Sequence, residues 1–201
     1  RFTADWCGYC PMMAEAFSTA REQLSGNLEV ISMHASGGLY FAPCGELLNY
    51  YSITSFPTGI IDGRERVGNS SNIEVTVKNT IKAVNNTESM YDVTTGVSWV
   101  SEINGDEASV DLAVYAKRAG SYKITALIVE DNIIGYQNGG GSNYVHNGVP
   151  RVAFTSILGE EFTTTTDNEV VKFTYNAEIP YSCNADNMRI VVYIHEYSWG
   201  S

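Results

Sequence analysis

Helical and strand patterns alternate along the first 92 residues. In two stretches apolar residues recur at every fourth position, which predicts two amphipathic helices. The dipeptide Asp62-Gly63 separates two short apolar runs, as in a tight β-hairpin. The predicted elements, in chain order, are helix 11–24, strand 28–33, helix 46–51, strands 59–61 and 64–67, and helix 73–84. The pattern therefore predicts an α/β domain over residues 1–92.

Strand patterns alone fill the second half of the chain. In the run Ser109–Tyr115, apolar residues occupy every second position, and turn-forming clusters separate the runs. The predicted strands are 96–103, 108–117, 122–130, 149–158, 160–165, 170–179 and 188–197. They indicate an antiparallel β-sandwich over residues 93–201. Gly135–Asn147 lacks the Gly-Lys-Ser/Thr ending of a phosphate-binding loop and is interpreted as a flexible connection between sheets.

Composition and charge exclude several classes of protein. The 201 residues include 44% hydrophobic and 17% charged side chains, as in a globular protein. The net charge of −11 disfavours a nucleic acid partner. No apolar run has the roughly 18–20 residues of a membrane span. We expect further residues before Arg1, where a lipid anchor would give the only membrane attachment.

The segment Trp6-Cys7-Gly8-Tyr9-Cys10-Pro11 carries the most specific chemistry. It lies between a strand fragment and a predicted helix. The unpaired N–H groups and the positive dipole end of that helix stabilise a thiolate, which is the nucleophile in disulfide exchange. Cys10 lies one helical turn further on, close enough to attack a mixed disulfide at Cys7. The spacing predicts that Cys7 attacks, that Cys10 resolves, and that the two form the redox disulfide.

The alternative roles for the cysteines are a zinc site, haem attachment and a structural disulfide. A zinc site needs a second pair of ligands, but Cys44 and Cys183 are isolated, and haem attachment needs a histidine where Pro11 stands. No metal or cofactor is therefore predicted. A structural disulfide without turnover stays open. Cys44 and Cys183 could bridge the two domains in an oxidising compartment, or remain two unrelated thiols.

The motifs resemble the thioredoxin-like superfamily. The segment 2–10 is similar to its strand leading into the active site, and Ser55-Phe56-Pro57-Thr58 resembles its cis-proline loop. The resemblance implies a cis Phe56–Pro57 peptide beside the cysteines, with Trp6, Phe56 and Pro57 lining a groove for an extended substrate segment. Thioredoxins place a buried acidic proton acceptor at the position that Arg1 occupies here.

The chain as a whole resembles the outer membrane protein 28 family of exported lipoproteins. The resemblance rests on Thr3–Pro11, on 55–58 and on Asn143–Arg151. It implies a thioredoxin-like domain (1–92) followed by an immunoglobulin-like β-sandwich (93–201), in the periplasm or at the outer membrane.

Two functions are predicted from these features. The first is a thiol–disulfide oxidoreductase or isomerase of the cell envelope, whose partners would be protein thiols, disulfides or a redox protein. The alternative is a surface binding or adhesion lipoprotein. In that case the β-domain would face a protein or glycan partner, and the thioredoxin-like domain would be a structural platform.

Overall fold

A four-stranded sheet and three helices are formed by residues 1–92 in the computed structural model, which describes residues 1–196. The strands are β1 (Phe2–Thr3), β2 (Met33–His34), β3 (Thr58–Ile61) and β4 (Glu65–Gly68), in the order β2-β1-β3-β4. Strand β1 is parallel to β2 and antiparallel to β3. The helices are α1 (Cys10–Gln23), α2 (Cys44–Tyr50) and α3 (Ile73–Met90).

The core of this region lies between the sheet and helices α1 and α3. Its buried side chains include Met13, Ala16 and Phe17 from α1 and Val77 and Val84 from α3. A Cβ atom at position 59 would overlap the Phe17 ring, so only glycine lets this ring rest on β3. The apolar period of the sequence thus places both helices against the sheet, and β1, which leads into the cysteine motif, pairs with β3 of that sheet.

Nine strands follow in residues 93–196. They are β5 (Thr95–Asn104), β6 (Glu107–Ala116), β7 (Gly120–Glu130), β8 (Ile133–Gln137), β9 (Gly141–His146), β10 (Val149–Ala153), β11 (Glu160–Thr164), β12 (Glu169–Glu178) and β13 (Met188–Glu196). One sheet has the order β12-β6-β5, and in another β7 pairs with β10, β11 and β13. All but β8 and β9 correspond to strands that the sequence predicts, although β10 is shorter than predicted and residue 197 lies outside the described residues.

Two compact units result from this arrangement. One comprises residues 1–92 together with 131–149, and the other comprises 93–130 and the residues from 150 onward. In the second unit, alternate side chains of β6 share a buried cluster with side chains of β7 and β11, among them Val110, Leu112, Tyr122, Ile124 and Phe162. Two antiparallel sheets therefore enclose one apolar core, as the alternating pattern predicts. The immunoglobulin-like topology stays a prediction.

Residues 131–149 differ from the sequence prediction in both structure and grouping. Gly135–Asn147, interpreted as a flexible connection, forms the antiparallel hairpin β8–β9 and clusters with residues 1–92 rather than with the β-sandwich. The assignment of all of 93–201 to one β-domain therefore does not describe this segment. Its buried side chains Gln137 and His146 are polar, so a search for alternating apolar residues overlooks both strands.

Candidate active site

Cys7 and Cys10 form a disulfide at the start of helix α1, with their Cα atoms 5.5 Å apart. Cys10 is the first residue of the helix, and Cys7 lies in the turn before it. The Cys7 amide donates to the Ala4 carbonyl at 3.1 Å, and the Cys10 amide donates to the Cys7 carbonyl at 3.2 Å. Two successive turns thus carry the chain from β1 into α1 and bring the two sulfur atoms together, which confirms the predicted pairing.

The amino-terminal end of α1 is left without a neutralising group. Tyr9, at the cap position, makes no side-chain hydrogen bond to the helix, and the first turn contains no acidic residue. The positive end of the helix dipole therefore stays available at the cysteines, where it favours a thiolate over a thiol.

The disulfide is buried, and aromatic residues neighbour it in the sequence and in the fold. Cys7 and Cys10 are 4% and 1% exposed, whereas Trp6 and Tyr9 are 59% and 66% exposed. Phe56 packs against the cluster of Ala4 and the two cysteines, and its ring lies 5.8 Å from that of Trp6. The Phe56–Pro57 peptide is cis, as the resemblance implies. Trp6 and Phe56 thus lie beside the cysteines, while their role in substrate binding stays a prediction.

The tip of the β8–β9 hairpin contacts the same segment. The Gln137 side-chain amide donates to the carbonyl oxygens of Ala4 and Cys7, each at 3.0 Å, and Asn138 bonds to the Asp5 and Trp6 carbonyls. These two residues were missed in the sequence analysis. The available signal was the Gly139-Gly140-Gly141 run between two short strand-like segments, which is typical of a hairpin turn.

A pair of buried histidines lies within this unit. His34 on β2 and His146 on β9 are each 1% exposed, and their rings meet edge to face at 5.2 Å. Neither ring nitrogen of His34 has a hydrogen-bond partner among residues 1–196. Burial, together with the positive charge of Arg1, lowers the pKa of His34 to about 3. The imidazole is therefore neutral at physiological pH.

The remaining cysteines are free thiols, so the structure contains no Cys44–Cys183 bridge. Cys44 is fully buried, and this burial raises the pKa of its thiol to about 11.

Across the described residues, no group of three or more His, Cys, Asp or Glu side chains is arranged to hold a metal ion. Within residues 1–196, no helix combines the length and apolar character that crossing a membrane requires.

Comparison with known families identifies both parts of the chain. The thioredoxin family profile matches residues 1–84, which carry the disulfide and the cis-proline. The profile described as outer membrane protein Omp28 matches residues 45–199, more than half of the sequence. The chain belongs to the Omp28 family. Its amino-terminal unit is thioredoxin-like, and a mostly-β region of antiparallel sheets follows.

A solved structure has the same fold. HBP35 of Porphyromonas gingivalis superposes with a TM-score of 0.74 at 20% sequence identity, over 96% of this chain and 67% of that chain. At this identity the likeness concerns the fold. Among curated proteins, none matches the sequence.

Proposed function

We propose that this Omp28-family protein is a thiol–disulfide oxidoreductase or isomerase of the cell envelope. One observation carries the proposal: the Cys7–Cys10 disulfide lies at a helix amino terminus without a side-chain cap, and Phe56, whose ring lies 5.8 Å from that of the exposed Trp6, packs against both cysteines. A disulfide that serves only as a structural link does not need a helix dipole at its sulfur atoms. Family membership supports a place in the cell envelope.

The chemistry follows from the two cysteines. In the reduced protein, the Cys7 thiolate attacks one sulfur of a substrate disulfide, and the other substrate sulfur leaves and takes a proton from water. The Cys10 thiolate then attacks Cys7 in the mixed disulfide and releases the second substrate thiol. Two electrons have passed to the substrate, and the Cys7–Cys10 disulfide has formed. Run in reverse, the same steps oxidise a substrate dithiol.

The deciding experiment is the reduction potential of the Cys7–Cys10 pair in the full chain, with a disulfide-exchange assay alongside. We expect a potential between about −120 and −270 mV, the range of known exchange proteins. Cys7→Ser should abolish exchange, whereas Cys183→Ser, which removes a free thiol of the second unit, should leave it unchanged. A potential below about −300 mV with no exchange would mark a structural disulfide and refute the proposal.

A second candidate function is favoured by the edge strand β5. Among the described strands, β5 pairs only with β6, and Trp99 and Val100 on it are 44% and 75% exposed. A free strand edge with exposed apolar side chains is a binding surface for an extended segment. On this proposal the second unit binds a surface protein or glycan, and the thioredoxin-like unit is a platform.

Arrays of envelope proteins and glycans, probed with the labelled full chain, test this second candidate. It requires a signal that Val100→Lys on β5 removes. The matched variant Val170→Lys, on the opposite edge strand β12, should retain it. Equal signals from both variants would contradict a β5 binding surface.

A further inference from the structure

The tip of the β8–β9 hairpin bonds four consecutive carbonyl oxygens in the cysteine segment. Gln137 Nε2 lies 3.0 Å from the Ala4 oxygen, 3.2 Å from that of Asp5 and 3.0 Å from that of Cys7. The main-chain amide of Asn138 donates to the Asp5 oxygen at 2.7 Å, and its side-chain Nδ2 donates to the Trp6 oxygen at 2.9 Å. Every main-chain carbonyl from residue 4 to residue 7 thus has a donor from the hairpin.

The chemistry of Gln137 suits this position. Its side chain is 2% exposed, so its polar atoms need partners within the protein. The two N–H groups of its neutral amide can be shared among these three carbonyl oxygens without burying a charge, whereas a carboxylate of the same size would face the same oxygens and repel them. The turn itself also approaches closely: a Cβ atom at Gly139, where φ is +81°, would overlap the Gly8 carbonyl oxygen.

The hairpin is anchored independently of its tip. At its base, the main-chain amide and the hydroxyl of Ser32 both donate to the hairpin, to the Gly148 and Asn147 carbonyls, each at 2.7 Å. The Asp131 carboxylate accepts from the Gly148 amide and closes the base. The hairpin base therefore has contacts of its own, and the tip contacts are the ones that reach the segment carrying Cys7.

We propose that Gln137 and Asn138 are positioning residues that set the redox properties of Cys7. Carbonyl oxygens carry negative partial charge, and four of them lie in the turns that present Cys7. The hairpin donors offset this charge and hold the turns in one conformation. Both effects stabilise the Cys7 thiolate, and hence the reduced form of the cysteine pair, relative to the same segment without the hairpin donors.

The inference rests on the proposed function for its role in turnover, but its test does not need turnover. The full chain is equilibrated with glutathione redox buffers, and the reduced fraction is measured by thiol trapping. The pKa of Cys7 is measured by ultraviolet absorbance of the thiolate. Gln137→Leu removes the donor at similar size, Asn138→Ala removes the side-chain bond to Trp6, and Ser142→Ala alters an exposed residue of the same hairpin.

Loss of the donors should stabilise the disulfide relative to the dithiol. For Gln137→Leu we expect the equilibrium constant with glutathione to shift about fivefold toward the disulfide, the size of a net hydrogen bond, with a raised Cys7 pKa. For Asn138→Ala we expect about a twofold shift in the same direction, because its side chain is exposed. Ser142→Ala should match the native protein in both measurements.

The outcomes separate the two proposals. If Gln137→Leu and Asn138→Ala both fold, as circular dichroism and melting show, and both keep the native equilibrium constant and Cys7 pKa, the positioning role is refuted. If Gln137→Leu does not fold, the exposed Asn138→Ala decides alone. A native protein that lacks exchange activity, but whose variants shift as expected, refutes the proposed function and leaves the positioning role intact.

Discussion

The two units treat buried polar groups differently. In the first unit the Gln137 side chain bonds carbonyls of the cysteine segment, and the rings of His34 and His146 meet edge to face in the interior without being charged at neutral pH. In the second unit apolar side chains form the buried clusters, and the buried Glu130 pairs with Arg151 at 3.5 Å. Buried polar groups lower stability unless they are paired. The units therefore differ in what their buried polar groups contact: carbonyls of the cysteine segment in the first, and a paired arginine in the second.

The largest expected effect on stability comes from breaking the ion pair of the second unit. Arg151→Ala leaves the Glu130 carboxylate buried without its cation and removes the 2.7 Å bond from Arg151 to the Ser182 hydroxyl. We expect the free energy of unfolding of this unit to fall by about 3 kcal/mol. Amide hydrogen exchange of β7 and β13 at increasing denaturant measures this unit separately from the first.

The control for this substitution is Arg118→Ala, because Arg118 is an exposed arginine in the same unit. We expect it to change the stability by less than about 0.5 kcal/mol. A loss at position 151 no larger than that at position 118 would show that the pair adds nothing. The contrast between the units would then have to rest on the first unit alone.

The buried histidine of the first unit predicts a pH effect of intermediate size. The unfolded chain binds a proton at His34 below its ordinary pKa of 6.5, whereas the folded unit stays neutral there down to about pH 3. The unfolded state thus binds more protons in this window, and stability falls as the pH falls. Between pH 7 and pH 5, His34 therefore lowers the free energy of unfolding of the first unit by about 2 kcal/mol.

The matching measurement compares unfolding of the first unit at pH 7 and pH 5 in the native chain and in His34→Phe. The variant cannot titrate at this position, so its stability should depend less on pH. The pKa of His146 is also lowered by burial, so part of the dependence should remain. An identical pH dependence in both proteins would contradict a neutral, buried His34.

Local patterns predict most elements of both units. Helix α1 and the strands of the second unit form within a few residues of their predicted bounds. This is because the apolar positions that repeat along each element are the positions that face its core. The predicted strand 28–33 shortens to Met33–His34. Its Ser32 amide donates to Gly148 of the hairpin rather than to a neighbouring strand of the sheet.

The residues of the candidate site also fall into two groups, those that local motifs predict and those that they do not. Cys7, Cys10, Phe56 and Pro57 stand in short motifs whose chemistry can be recognised from neighbouring residues. The contacts of Gln137 join residues about 130 positions apart through a polar side chain. Neither the apolar period nor a local motif encodes such a contact, and the glycine-rich turn beside it is also typical of a flexible loop. The contact between Gln137 and the Cys7 carbonyl is therefore visible only in the folded structure.

The smallest expected effects come from two asparagine caps, one in each unit. The Asn72 side chain accepts from the Glu74 amide at 2.9 Å and caps the 18-residue helix α3, whose inner face forms part of the first core. The Asn184 side chain accepts from the Asp186 amide at 3.1 Å and caps a three-residue turn. We expect Asn72→Ala to lower the stability of the first unit by about 1 kcal/mol.

Asn184→Ala should change the second unit by only a few tenths of a kcal/mol. Its main-chain amide keeps the 2.9 Å bond to Glu130, and no long helix depends on the lost side-chain bond. Hydrogen exchange of α3 and of β13 reports the two losses in one experiment. Equal losses would mean that the Asn184 cap stabilises the second unit as strongly as the Asn72 cap stabilises the first. The stability of the second unit would then depend on the polar contacts around Glu130 as well as on its apolar core.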